Sequence, residues 1–422
     1  MFAPLVQSQL IKDAPYAWFL FDRAKQHARY YLTDFREQAE RLEAYLDALG
    51  IALMEGEPVE DWLAPDDWGS AFVLAVLGVR YHQPRLFDHA LDQLQEDEEA
   101  HYREVVDACL WDRPESIEPW LLRCYRHGSP VAQQTAVAVA RAHAQSLHPS
   151  LMPLYADNPA PAVRVQWLHW LGEHRAQEHL DFVRGFYADE NPDIAFAAAR
   201  AGLLLDDPDG QKAVQRFAVD NNPHLLEAIT LVFLQADHPA QATQWIERLW
   251  SSPDLSMRVK LYAVAVAGLP EHVNRLFPAM ADPETARAAG EAFTLLTGAD
   301  LDAQDLESME TGCVDCSDED VAEQPTLTEC RREDPFISDW EDDLPDPCPE
   351  AVQQWWQTHS GQFRQGVCYL AGLEVTEENL QRVLQDGNQR QRHLAALRGL
   401  VRHRQPWFDC GWPDSEIPRQ TG

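Results

Sequence analysis

Six X-Pro steps, Ser129-Pro130, Ala160-Pro161, Asn191-Pro192, Asn222-Pro223, Ser252-Pro253 and Asp282-Pro283, recur at intervals of 31, 31, 31, 30 and 30 residues. Proline is disfavoured inside a helix, suits its first turn, and pushes the preceding residue out of helical geometry. Each step therefore reads as a loop ending and a helix beginning. An alanine-rich apolar run follows each one: "QQTAVAVARAHA", "AVRVQWLHWLGEH", "DIAFAAARAGLLL", "LLEAITLVFL", "MRVKLYAVAVAGL" and "ARAAGEAFTLLTG". Such a run is apolar on every side, as expected of a helix sandwiched between neighbours.

A second, more amphipathic run completes each period, as in "LDFVRGFYAD", "KAVQRFAVDN", "TQWIERLWSS" and "EHVNRLFPAMAD". Two helices of about 12 residues and their turns fill one period, and such a hairpin must stack on its neighbours to bury its apolar face. Looser units begin near Pro65 and Glu98, which gives seven hairpins between 65 and 298. The expected fold class is all-α, an α-solenoid of helical hairpins with N- and C-terminal helical caps. The expected organisation is a cap over 1–64, the array over 65–298, an acidic linker over 299–349 and a helical segment over 350–422.

The N-terminal cap contains "YLTDFREQAERLEAYLDALGIAL", with Thr33 as N-cap and Phe35, Leu42, Leu46, Leu49 and Leu53 at helical spacing. The C-terminal segment opens with "PEAVQQWWQTHSGQF". It then carries Arg382, Arg390, Arg392, Arg398, Arg402 and Arg404 beside the apolar line Leu394, Leu397, Val401. Trp355, Trp356 and "PWFDCGW" read as packing residues.

The formal net charge is −35, and residues 300–346 hold 18 Asp or Glu against Arg331 and Arg332 alone. Lacking helical periodicity, that stretch is expected to be loosely held. Direct nucleic-acid binding needs a basic footprint, which this composition does not provide. The natural partner of so acidic a chain is a basic protein, because opposite charge speeds and orients encounter. The acidic stretch is also a candidate to fold back over the neighbouring six-arginine segment. "MFAPLVQSQLIKDAP", broken by prolines and polar residues, does not read as a secretion signal, and no run of ~18 apolar residues is long enough to span a bilayer. Eight cysteines without regular spacing point to reduced thiols and a cytoplasmic address.

Motifs for chemistry are weak. Cys313-Val-Asp-Cys316 has the spacing of half a zinc site, but Cys330 and Cys348 do not form a second close pair. His174, Glu178 and His179 have the wrong spacing for a zinc protease helix. None of the 16 histidines precedes a glutamate, and no P-loop or GxSxG occurs. No metal, cofactor or catalytic residue is therefore assigned, and the chain is expected not to be an enzyme. A HEAT-like lyase or glycosylase is the enzymatic alternative.

The strongest candidate surface is a register match in the second helices. Arg216, Arg248 and Arg275, with Arg184 near the same phase, accompany Tyr187, Phe217, Trp245 and Trp250. Arginine and aromatic residues are the types enriched at binding hot spots. The competing reading pairs each arginine with a carboxylate of the next hairpin and puts the aromatics in the core.

The runs "APAVRVQWLHWLGEH" and "LSMRVKLYAVAVAGL" resemble HEAT-like repeats. With "YYLTDFREQAERLEAYLDALGIAL", "DDLPDPCPEAVQQWW" and "NQRQRHLAALRGLVRHRQPWFD", the chain resembles, nearly end to end, a largely uncharacterised proteobacterial family of HEAT-like repeat proteins. Members of that family are often encoded near type VI secretion and effector genes. The resemblance implies a cytoplasmic, non-enzymatic partner-binding role: an immunity protein neutralising a basic effector, or an adaptor or accessory factor for an effector or secretion component. It brings no catalytic residues.

Overall fold

In the computed structural model the described residues are 4–25, 27–63, 69–94, 101–112, 116–142, 155–236, 238–308, 341–405 and 410–411. They are almost entirely helical, as the all-α reading expects; the strands among them form one antiparallel pair, β1 (Tyr369–Leu370) and β2 (Leu373–Glu374). They fall into two compact units. The first is built from 32–213 with most of the preceding N-terminal stretch, the second from 214–410 with His27–Tyr31. None of the described helices is long and apolar enough to cross a membrane.

The first unit opens with α1 (Pro4–Ala24) and α2 (Leu32–Met54). Helix α1 runs through Pro15. Helix α2 begins at Leu32, so Thr33 lies in its first turn rather than at the cap, and Phe35, Leu42, Leu46 and Leu49 are buried. Then come α3 (Ser70–Arg80), α4 (Pro84–Asp92), α5 (His101–Trp111), α6 (Glu118–His127), α7 (Pro130–Ala142), α8 (Pro161–Glu173), α9 (Leu180–Arg184), α10 (Pro192–Leu204) and α11 (Pro208–Phe217), within which the two units meet in sequence. Helices α3, α5, α7, α8 and α10 pack each on the next. All of α10 from Ile194 to Leu204 is buried, which is why its sequence carries no polar face.

Proline opens α7, α8 and α10 as expected, and Asn191 caps α10 by accepting the backbone N–H groups of Asp193 at 2.9 Å and Ile194 at 3.4 Å. The later steps differ. In the second unit α12 (Leu225–Gln235), α14 (Met257–Ala267) and α16 (Ala286–Thr297) begin two to four residues past Pro223, Pro253 and Pro283. There Asn222 and Asp282 accept the N–H groups of His224 and Glu284, at 2.9 and 3.1 Å, which holds each proline in a turn before the helix. The amphipathic partner of α12 is α13 (Pro239–Ser251), burying Ala242, Ile246 and Leu249. The partner of α14 is broken into a 3-10 turn, Pro270–Arg275, and α15 (Phe277–Met280), because Pro278 lacks a donor and restricts Phe277.

The remaining elements are α17 (Pro349–His359), the strand pair, α18 (Glu377–Asp386) and α19 (Gln389–Arg402). Helix α19 meets the carboxyl ends of the array helices. Its Arg398 donates to the Val266 carbonyl of α14 at 2.7 Å, and Arg402 to the Gln235 carbonyl of α12 at 3.3 Å. Arginine there answers the orphan carbonyls and the negative end of each helix dipole. Buried Arg392 is bound to the Leu384 and Cys410 carbonyls, and Arg390 pairs with Glu291 at 3.0 Å. Much of the basic segment is therefore internal structure.

The acidic linker expected over 299–349 needs correcting at both ends; residues 309–340 lie outside the described residues. Leu301, Leu306 and Leu344 are buried. Glu341 grips Arg258 with both oxygens, at 2.9 and 3.1 Å, and Asp346 grips Arg287 likewise, at 2.9 and 3.0 Å. The Ser308 N–H donates to Asp346, and Cys348 N–H to Leu306. These acids thus sit on Arg258 and Arg287, which are not among the six arginines of 382–404. Trp355 and Trp356 both pack edge-on against Phe293, as packing residues do.

One buried acid of the first unit is sensitive to pH. Glu104 on α5 accepts the Phe72 N–H at the start of α3, and burial, only partly opposed by the Gly69, Phe72 and Ala71 N–H groups, pushes its carboxyl up to about 7. A raised acid favours the fold below its unfolded value, near 4.5, and loses that contribution as pH rises through the folded value. Glu104→Gln should accordingly melt a few degrees above the wild type at pH 8 and show a smaller difference at pH 5, by thermal denaturation at both.

Candidate functional site

The eight candidate surface residues divide between the units. Arg184 and Tyr187 belong to the first, where both converge on Asp207 of the next hairpin: Arg184 Nε and Nη2 donate at 3.2 and 3.0 Å, and the Tyr187 hydroxyl at 2.7 Å. These bonds, the Arg184 one foremost, hold the buried Asp207 carboxyl down at about 2. This part of the register is an inter-hairpin ion pair with its phenol clamp.

The other six lie in the second unit. Arg248 stands over the Trp245 ring at 5.0 Å, and Arg275 over the Trp250 ring at 5.0 Å, with Arg275 also paired to Glu247. Arg216 is exposed, while half-buried Phe217 meets His224 edge-on at 6.1 Å. The structure thus joins Trp250 and Arg275 across two elements, joins Trp245 and Arg248 along one helix, and places Arg216 and Phe217 on α11. Guanidinium groups stacked on half-exposed indoles are serviceable contact groups, because cation–π pairs survive partial hydration.

Of the weaker motifs, the histidine one lies wholly among the described residues and the cysteine one only in part. Cys313, Cys316 and Cys330 lie outside the described residues, and the half-buried Cys348 has its thiol 3.7 Å from Glu350. His174 stacks on Trp170 at 4.3 Å and His179 meets Trp167 edge-on, while Glu178 is exposed. Among the described residues no three His, Cys, Asp or Glu side chains are grouped to hold a metal ion.

The sequence reading missed two neighbouring cavities in the second unit. The larger, about 180 Å³, is lined by Arg29, Tyr31, Glu291, Leu295, Asp300, Leu301, Asp302, Leu344 and Asn388, among others. The smaller, about 80 Å³, includes Arg258, Tyr262, Glu291, Glu341 and Arg390. Glu291 on α16 lines both, and burial raises its carboxyl although Arg390 pulls it the other way. Around the larger cavity the Tyr31 hydroxyl donates to Asp300 at 3.4 Å and Arg29 pairs with Asp302 at 3.1 Å. The lining comes from four separated stretches of chain, so no local motif announces it. Chemically the larger cavity offers three carboxylates against one guanidinium.

No protein-family model matches this chain, and no curated protein or solved structure shows significant similarity to it.

Proposed function

We propose that this protein is a non-enzymatic, cytoplasmic protein-binding scaffold that neutralises a basic effector, in the manner of an immunity protein of type VI secretion. The supporting observation is the way charge is spent. Arg141, Arg184, Arg200, Arg258, Arg287 and Arg390 are committed to carboxylates of the same unit, and Arg398 and Arg402 to backbone carbonyls. With 69 acidic residues against 34 basic ones, the carboxylates left over give the protein a field that attracts cations. The exposed Arg248 and its Trp245 supply an aromatic contact within that field. The effector and secretion context comes from the family resemblance of the sequence.

Co-expression tests the proposal. The protein should restore growth to cells making a basic effector encoded beside its gene, and should co-purify with it at low salt with affinity falling as salt is raised. Co-purification with an undiminished toxic activity would make it an adaptor instead. Absence of any complex would overturn the binding role.

A further inference from the structure

The larger cavity of the second unit combines an apolar wall with a group of carboxylates. Leu295, Leu301 and Leu344, exposed by only 2%, 3% and 6%, line it and give it an apolar wall. Its rim reaches the surface at Tyr31 and Asp302, 37% and 58% exposed. Glu291 uses one carboxylate oxygen on Arg390. Asp300 and Asp302 add two further negative charges, and Arg29, the cation of the lining, is paired with Asp302 and donates to the Asp343 carbonyl at 3.0 Å.

About 180 Å³ falls below the size of a drug-like ligand site but accommodates an aliphatic stem with one polar head. Lysine and arginine have that build: methylenes that bury against apolar surface and a charged tip. An anion would meet three carboxylates. A purely apolar group would displace water from the Glu291 and Asp300 carboxyls without supplying a donor in its place.

We propose that this cavity takes a lysine or arginine side chain of the basic partner, with Leu295, Leu301 and Leu344 covering the stem and Glu291 and Asp300 receiving the charged head. The proposal rests on the basic-partner reading and adds its anchor point.

The test uses the full chain and needs no partner. n-Butylammonium and n-butylguanidinium stand in for the two side chains, with n-butanol and butyrate as neutral and anionic controls, and binding is read from the methyl NMR signals of Leu295, Leu301 and Leu344. Both cations should give saturable shifts at those methyls, and the controls at least tenfold weaker ones. Glu291→Gln should weaken cation binding at least fivefold; should that variant fail to fold, rim substitution Asp302→Asn should weaken it about twofold. Equal binding of butanol, silent methyls, or cation binding unchanged in the variants would overturn the proposal. A failed probe experiment beside an intact partner complex removes the anchor alone, whereas a filled pocket without any partner complex removes the effector reading alone.

Discussion

Glu173→Ala should cost the first unit about 3–5 kcal/mol, read as a lowered urea midpoint at pH 7. Glu173 ends α8 with its side chain 2% exposed, and two array helices converge on it: Arg141 of α7 donates to one oxygen at 2.7 Å, Arg200 of α10 to the other at 2.9 Å. Removing the carboxylate leaves the Arg200 guanidinium, with its side chain 4% exposed, buried without its acid. Burial alone would raise the Glu173 carboxyl, but Arg141 and Arg200 outweigh it and hold the group below its ordinary value near 4.5. A depressed acid stabilises the fold above its unfolded value and loses that contribution as pH falls through the folded one. The gap between wild type and Glu173→Ala should therefore narrow through the acid range below pH 4.5. Replacing all three groups together, as Arg141→Met, Glu173→Leu and Arg200→Met, should recover most of the loss, since the desolvation penalty disappears with the charges. A triple variant as unstable as the single one would mean that the charges organise this stack beyond neutralising one another.

The same triad marks the boundary of what the sequence reveals. Proline spacing and the unbroken apolar runs report on local backbone and on burial from all sides, so α7, α8 and α10 are readable residue by residue. Arg141, Glu173 and Arg200 sit 32 and 27 residues apart, and nothing in a run such as "AVRVQWLHWLGEH" says that its last glutamate turns inward. The ends of the acidic stretch are obscured for a related reason. Composition averages away Leu301, Leu306 and Leu344, and the arginines that hold Glu341 and Asp346 lie 83 and 59 residues upstream. Helix starts at Leu225 and Ala286 slip past their prolines because Asn222 and Asp282 stabilise a turn that proline alone does not specify, and the start at Met257 is set by Ser256, which caps that helix by accepting the Val259 N–H.

Charge placement follows one rule across the second unit. Arg258 and Arg287 stand near the amino ends of α14 and α16, where a cation opposes the helix dipole, and each carries a bidentate carboxylate from the 341–346 stretch. At the carboxyl ends the sign reverses, and Arg398 and Arg402 bind bare carbonyls. The acidic stretch and the basic helix, which look like opposed tails in the sequence, thus serve opposite poles of α14, through Glu341 on Arg258 at one end and Arg398 at the other. The cavity proposed for a partner's cation is lined in part by residues of that acidic stretch, Leu344 and Pro345.

Gly298→Ala should destabilise the second unit by about 3 kcal/mol, and Gly268→Ala by a similar amount, in urea unfolding. Both glycines end array helices with positive φ, +66° at Gly268 and +72° at Gly298, the left-handed turn that exposes the last carbonyls. The strand pair uses those carbonyls: Tyr369 N–H donates to Gly268 at 2.8 Å, Ala371 N–H to Leu295 at 2.7 Å, and Gly372 N–H to Leu296 at 3.0 Å. A methyl on Gly268 would collide with the Tyr369 carbonyl oxygen, and one on Gly298 with that of Ala371. Two other glycines separate the causes. Gly366 has φ +73° but open space around the added carbon, so Gly366→Ala should show only the left-handed penalty, ~1–2 kcal/mol. Gly361 has open space and no positive φ, so Gly361→Ala should be close to neutral. If Gly298→Ala costs no more than Gly366→Ala, the strand pair does not depend on close seating at the helix ends.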